Sequence, residues 1–142
     1  MTLKKQRLAQ AAYERVSQRK KEAETYRKEY RSFAREFPTL VHQCGLAQAV
    51  AFAQANANDR TKKKHYEDYG NDLAAVLKAA GHEEIADLSA LAEKTRSLPM
   101  TAYVRLSRDA LDAAVWLKRY VEALFEVKKR EDRTCETTSS SS

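Results

Sequence analysis

The chain has 142 residues, three Gly, two Pro, two Cys and a formal net charge of +6. A chain of this length can bury a core without disulfides or a metal, and so few turn residues exclude a fold of many short strands. The composition predicts an all-α fold: a single compact bundle of about six helices over 1–130, with a long N-terminal helix, a long central C-terminal helix, and a disordered polar tail, EDRTCETTSSSS, over 131–142.

Residues 3–35 predict one long helix with Thr2 as its N-cap. At a hundred degrees per residue Leu8, Ala12, Ala23, Tyr26, Tyr30, Phe33 and Phe37 share one face. Lys20, Arg27, Arg31 and Arg35 cluster on another, with Glu24 among them. The first 35 residues hold eleven Lys/Arg against four Glu, so the whole basic excess lies in this segment. A local excess of this kind calls for an anionic partner, nucleic acid before membrane surface. Arg27, Arg31 and Arg35 follow one another at one-turn spacing, about 6 Å apart, and like charges in such a row repel. Guanidinium forks in a row suit consecutive phosphates of an RNA strand, giving affinity without base readout. The other reading of the row is a solvated helix face. Arg15 and Arg19 fall in line with the apolar stripe, where they are expected to face a ligand or partner past the core.

Pro38 is expected to end this helix and open a short one over 38–44, with Gly45 as its C′ residue. A further helix follows from Leu46 to about Ala57. The stretch FPTLVHQCGLAQAVAFAQANAN, 37–58, lacks any charge but carries too many polar side chains to span a membrane. It reads as a helix pair buried on most sides. Asn58-Asp59 then caps a helix over 60–80 built on Tyr66, Tyr69, Leu73, Val76 and Leu77, closed by Gly81. Lys62, Lys63 and Lys64 at its start oppose the helix dipole, a conflict that an anionic neighbour would relieve. A shorter helix over 83–97 around Ile85, Leu88 and Leu91 stops at Pro99. The last helix, about 100–130, is apolar over a broad arc of Tyr103, Leu106, Ala110, Ala114, Leu117, Val121 and Leu124, which marks it as central.

Catalytic patterns are scarce. Cys44 and Cys135 form no CxxC pair and read as free thiols of a reducing cytoplasm. The N-terminus has basic residues without an apolar run behind them, so no secretory signal is expected. HEEIAD at 82–87 opens like a zincin helix, but Ala86 stands where the second ligand belongs. Arg60 and His65 fit the R-x(4–6)-H spacing of HEPN-type ribonucleases, in which the His can act as base on a ribose hydroxyl. With 13 Arg in the chain that spacing arises readily by accident, and a polar helix start accounts for it more economically. The expectation is a protein with no active site, no metal, no cofactor and no small-molecule substrate.

Three stretches carry a family resemblance. YRSFAREFPTLVHQCGLAQAVAFA, with its aromatic lead, Phe-Pro, Gly45-Leu46 and Ala51-Phe52, is the most distinctive. YVRLSRDALDAAVWLKRYVEAL carries Tyr103, Ala110-Leu111, Trp116-Leu117-Lys118-Arg119 and Ala123-Leu124 in register, and HYEDYGNDLAAVL is the weaker third. Together they resemble the small subunit of the Cmr-type, or type III-B, CRISPR RNA-guided effector complexes, over most of residues 5–127. The resemblance implies a small helical bundle that stacks in several copies along the path of guide and target RNA, beside backbone subunits that cleave. It implies a cytoplasmic role in defence against foreign RNA, with guide and target RNA, further copies of the chain and the backbone subunits as partners. Carried over by position, Lys118 and Arg119 of WLKR become candidate RNA or subunit contacts; for Lys118 an ordinary pair with Glu122 is the alternative. The rival functions are the HEPN-like ribonuclease on Arg60 and His65, and a helical adaptor that meets an acidic protein without nucleic acid.

Overall fold

The computed structural model describes residues 3–59 and 64–125, and every secondary-structure element among them is helical. In chain order these are α1 (Lys4–Arg19), α2 (Glu24–Cys44), α3 (Leu46–Asn58), α4 (His65–Ala79), α5 (Leu88–Ser97) and α6 (Met100–Leu124). The expected cap Thr2, the stretch 126–130 of the last expected helix, and the 131–142 tail with Cys135 lie outside the described residues.

The long N-terminal helix is in fact two, and the expectation of one is corrected. A continuous helix over 3–35 would extend about 50 Å, far beyond what the rest of the chain could cover. The break at 20–23 lets both halves bury a face: Leu8, Ala12 and Val16 from α1, and Tyr30, Phe33, Ala34, Phe37 and Val41 from α2. No Gly or Pro marks the break. Arg27 makes it workable by donating from one guanidinium nitrogen to the carbonyls of Lys20 and Glu22, which the end of α1 leaves without helical partners.

Pro38 does not end a helix. It lies inside α2, which runs on to Cys44. An interior proline removes one backbone hydrogen bond and costs about 3 kcal/mol, yet Phe37, Pro38 and Val41 are all buried there. Burial of a large apolar side chain returns about 1.5–3 kcal/mol, so packing overrides the local preference. Gly45, at φ +86°, then serves as both the C-cap of α2 and the N-cap of α3, a backbone conformation that favours glycine. The first residues of the helix expected over 60–80, 60–63, lie outside the described residues. The start of α5 is later than expected: it begins at Leu88, after Asp87, whose carboxylate accepts the Ala90 N–H at 2.9 Å.

The six helices share one core, and α6 lies against α1, α2 and α4 through Leu106, Ala110, Ala113, Ala114, Leu117 and Val121. Its alanines let the neighbouring backbones approach closely. Gly70 does the same for α4 and α5: a Cβ there would come within 2.7 Å of the Leu88 methyl carbons. α1 runs parallel to α6, with Lys4 meeting Asp109 and Tyr13 meeting Tyr120. α2 runs antiparallel to it, with Arg35 meeting Glu122 while the Tyr103 hydroxyl accepts the Ala47 N–H at 3.1 Å beyond the end of α2.

Candidate nucleic-acid interface

The cations singled out in the sequence divide into those the fold uses and those it leaves outside. Arg15 and Arg19 belong to the first group. Both turn onto Asp72 of α4, whose side chain is fully buried: Arg15 Nε reaches Oδ1 at 2.8 Å, and Arg19 reaches Oδ2 through Nε at 3.0 Å and Oδ1 through a terminal nitrogen at 2.9 Å. The remaining Arg19 nitrogen stands 3.6 Å from Asp68. Tyr30 donates to Asp72 and Tyr26 to Asp68, so two carboxylates, two guanidiniums and two phenols tie α1, α2 and α4 together. The set is closed in charge, since two anions meet two cations.

The ionisation of the network follows from that arrangement. Burial works against a charged Arg19, but its hydrogen bond to Asp72 and then the charges of Asp72 and Asp68 outweigh burial and hold the guanidinium above its ordinary value. Burial first, and then their carboxylate acceptors, push the Tyr26 and Tyr30 phenols well up. The placing of Arg15 and Arg19 toward a partner beyond the core is thereby corrected. They are positioned by, and for, the inside of the bundle.

A second clamp fixes the other end of α1. Lys4 donates to both oxygens of the buried Asp109, at 3.2 and 3.0 Å, and His82 Nε2 lies 2.7 Å from Oδ2. Burial alone would raise the Asp109 carboxyl; the hydrogen bonds from His82 and Lys4 and their charges overcome it and hold the carboxyl below the usual range.

The Arg27, Arg31, Arg35 row is real as a row but is not uniformly available. Arg27 is partly buried with one nitrogen on the Lys20 and Glu22 carbonyls, Arg31 is partly buried, and Arg35 is half-exposed with Nε 3.0 Å from Glu122. Glu122 is thus engaged from α2 as well as being a candidate for Lys118. Lys20 and Lys64 are exposed, Lys118 is partly exposed, and Arg119 is exposed with its guanidinium 5.2 Å over the ring of Trp116. Lys62 and Lys63 lie outside the described residues, as does Arg60 of the ribonuclease alternative. His65, the base of that alternative, is buried at 5% exposure with its ring centroid 4.2 Å from that of Tyr66.

Two features escaped the sequence reading. One is the Asp68/Asp72 pair, which stands at i,i+4 on the mostly apolar buried arc of α4 and answers the i,i+4 pair Arg15/Arg19 on the apolar arc of α1. Two misplaced charge pairs of opposite sign and equal spacing were the available signal. The other is an aromatic row along the α1–α6 seam: Tyr13 meets Tyr120 edge-on at 5.5 Å, and Tyr120 stacks with Trp116 at 5.7 Å. Among the described residues no helix is long and apolar enough to cross a membrane, and no cluster of His, Cys, Asp and Glu could hold a metal ion.

Comparison with known proteins agrees with this architecture. The family described as CRISPR-associated protein (Cas_Cmr5) matches residues 4–124, the full extent of the six helices. The chain is 42% identical over 126 residues to the CRISPR system Cmr subunit Cmr5 of Thermus thermophilus, covering 89% of this chain and 99% of that protein. It also superposes on the crystal structure of a CRISPR-associated Cmr5 family protein from Thermus thermophilus with a TM-score of 0.76 and 41% identity, covering 89% of this chain and 100% of that one.

Proposed function

The chain belongs to the Cas_Cmr5 family of CRISPR-associated proteins, and from that membership we propose that it is the non-catalytic small subunit of a Cmr-type, type III-B, CRISPR ribonucleoprotein effector complex. In this reading it works in the cytoplasm in defence against foreign RNA. Several copies stack along the guide and target RNA beside the backbone subunits, and cationic helix faces contact the RNA backbone. The observation that carries the proposal is the match over all six helices to a family whose relative is named as a subunit of a Cmr system.

The surface adds support for the RNA contact. Lys20, Lys64 and Arg119 face solvent, Lys118 does so in part, and Arg27 stands at the lip of an open depression, whereas Arg15 and Arg19 are held by Asp72 and are left out of the contact set. Such groups sense phosphates and the shape of a duplex rather than its bases. The burial of His65 supports the non-catalytic role, because a ribonuclease base must come within hydrogen-bond reach of the ribose hydroxyl.

Reconstitution of the complex with and without this chain tests the proposal. The expected result is weaker and less salt-sensitive target RNA binding when the chain is omitted, because fewer phosphates are then neutralised, with cleavage unchanged when His65→Ala replaces the natural chain. Cleavage lost in His65→Ala while the complex still assembles would point to the ribonuclease instead. An assembly whose RNA affinity is indifferent to the chain would contradict the RNA contact.

A further inference from the structure

We propose that the α1–α6 seam is a stacking site for an unpaired nucleotide, its base against Tyr13 and Tyr120 and its phosphate in the depression formed by Lys20 and Arg27. The inference rests on the reading that the chain contacts RNA, and it names where and in what form.

The geometry is continuous. Tyr13 is 43% exposed and meets Tyr120 edge-on, Tyr120 lies nearly parallel to Trp116 at an interplanar angle of 21°, and Arg119 covers the indole. Three rings and a guanidinium plane thus form a row on the outside of the bundle, above a seam already closed by Leu8, Ala12, Val16, Ala113 and Leu117. The core is complete without Tyr13. Lys20 lies seven residues after Tyr13 on the same side of the chain, about 10 Å further along if the helical rise is continued, the span of a nucleotide or two. There it lines an open depression of about 310 Å³ with Arg27, Ala123 and Leu124, and Ala123 is itself one turn after Tyr120. Rings therefore lead directly to cations.

The depression suits a phosphate. Lys20 makes no ion pair among the described residues, and the described residues that line the depression, Lys20, Arg27, Ala123 and Leu124, include no carboxylate. Arg27 is held by the Lys20 and Glu22 carbonyls through a single nitrogen, which fixes the guanidinium while its other N–H groups remain as donors. Trp, Tyr and Arg also dominate the contact centres of protein interfaces, but an end lined by the cations Lys20 and Arg27 favours a polyanion. Asp112, exposed, lies a turn before Trp116 at the end remote from Lys20. Alternating aromatic faces and cations are what single-stranded RNA uses, since every base has a π-face to stack.

Ultraviolet cross-linking of the assembled complex, with adducts mapped by mass spectrometry, tests this directly. Adducts are expected at Tyr13 and Tyr120, and Lys20→Glu should remove them. Tyr13→Ala, at an exposed helix position, should keep the helical signal and weaken binding of the complex to single-stranded RNA by about tenfold, as loss of one stacked base does. Adducts confined to other parts of the chain would overturn the groove while leaving the RNA reading intact. No adduct on this chain, in a complex whose other subunits cross-link, would overturn both. A Tyr13→Ala complex that sheds protein subunits but binds RNA unchanged would make the seam a protein-docking surface, and the proposal would fail.

Discussion

Replacing Asp72 with Ala should remove a large share of this protein's stability without touching its surface. The carboxylate is 0% exposed and accepts from Arg15, twice from Arg19, and from Tyr30. Without it, two guanidiniums and a phenol face a buried hole. Removing one partner of a buried ion pair costs about 3–5 kcal/mol. Arg15, whose side chain is 31% exposed, can recover water and lowers the figure, while Arg19 at 16% recovers less. We expect about 3 kcal/mol, roughly a fifth to three fifths of the stability of an ordinary domain. At this chain length that corresponds to a fall of roughly 10 °C in Tm. Circular dichroism of the helical band through thermal and urea unfolding measures it, with the urea midpoint moving at unchanged slope. Arg35→Ala is the control: its half-exposed pair with Glu122 should be worth less than about 1 kcal/mol. An Asp72→Ala protein within about 1 kcal/mol of the parent would refute the network. So would Arg15→Ala and Arg19→Ala variants that keep full stability and lose RNA binding, because those guanidiniums would then serve the ligand.

Further outcomes follow from the same contacts. Gly70→Ala gains helix propensity but drives its Cβ into Leu88, so it should destabilise by about 1–3 kcal/mol in a urea titration; a neutral or stabilised variant would show that the α4–α5 contact yields freely. The Asp109 carboxyl is held below the ordinary value by His82 and Lys4, so below about pH 4 the unfolded chain takes up more protons than the folded one and stability falls with pH. Asp109→Asn should flatten that acid limb of the Tm profile, and an unchanged limb would place its origin elsewhere. At the alkaline end the sign is the reverse in proton count: Tyr26 and Tyr30 stay protonated in the fold, so above about pH 10 the unfolded chain binds fewer protons and stability falls as pH rises. Tyr30→Phe should lower stability at neutral pH and make the alkaline decline shallower; a decline of the same steepness would separate Tyr30 from it.

What could be read beforehand was whatever depends on neighbours in sequence. The apolar spacing and Gly45 place α3 within a residue of its observed end, Asn58, and the alanine-rich arc of α6 marks it as the helix others surround. The break between α1 and α2 could not be read that way. Lys20, Lys21, Glu22 and Ala23 carry no turn signal, and the chain folds back there because two half-helices bury more than one projecting helix. Pro38 misleads for the related reason that its neighbours Phe37 and Val41 are worth more buried than the lost hydrogen bond. The candidate site was half legible. Arg15 and Arg19 stand out in the sequence as cations on an apolar line, but their shared acceptor comes 57 and 53 residues later, and nothing local says that α1 and α4 will meet. Tyr13 and Tyr120 are further apart still, and become a surface when α1 and α6 lie parallel.

Assembly on RNA can be tested by native mass spectrometry of the tagged chain purified from its own host, with sequencing of the RNA that comes with it. The expected result is several copies of the chain within one large particle that also carries the backbone subunits and a uniform short guide bearing CRISPR-repeat remnants. A chain recovered alone, or in an assembly free of RNA, would contradict it.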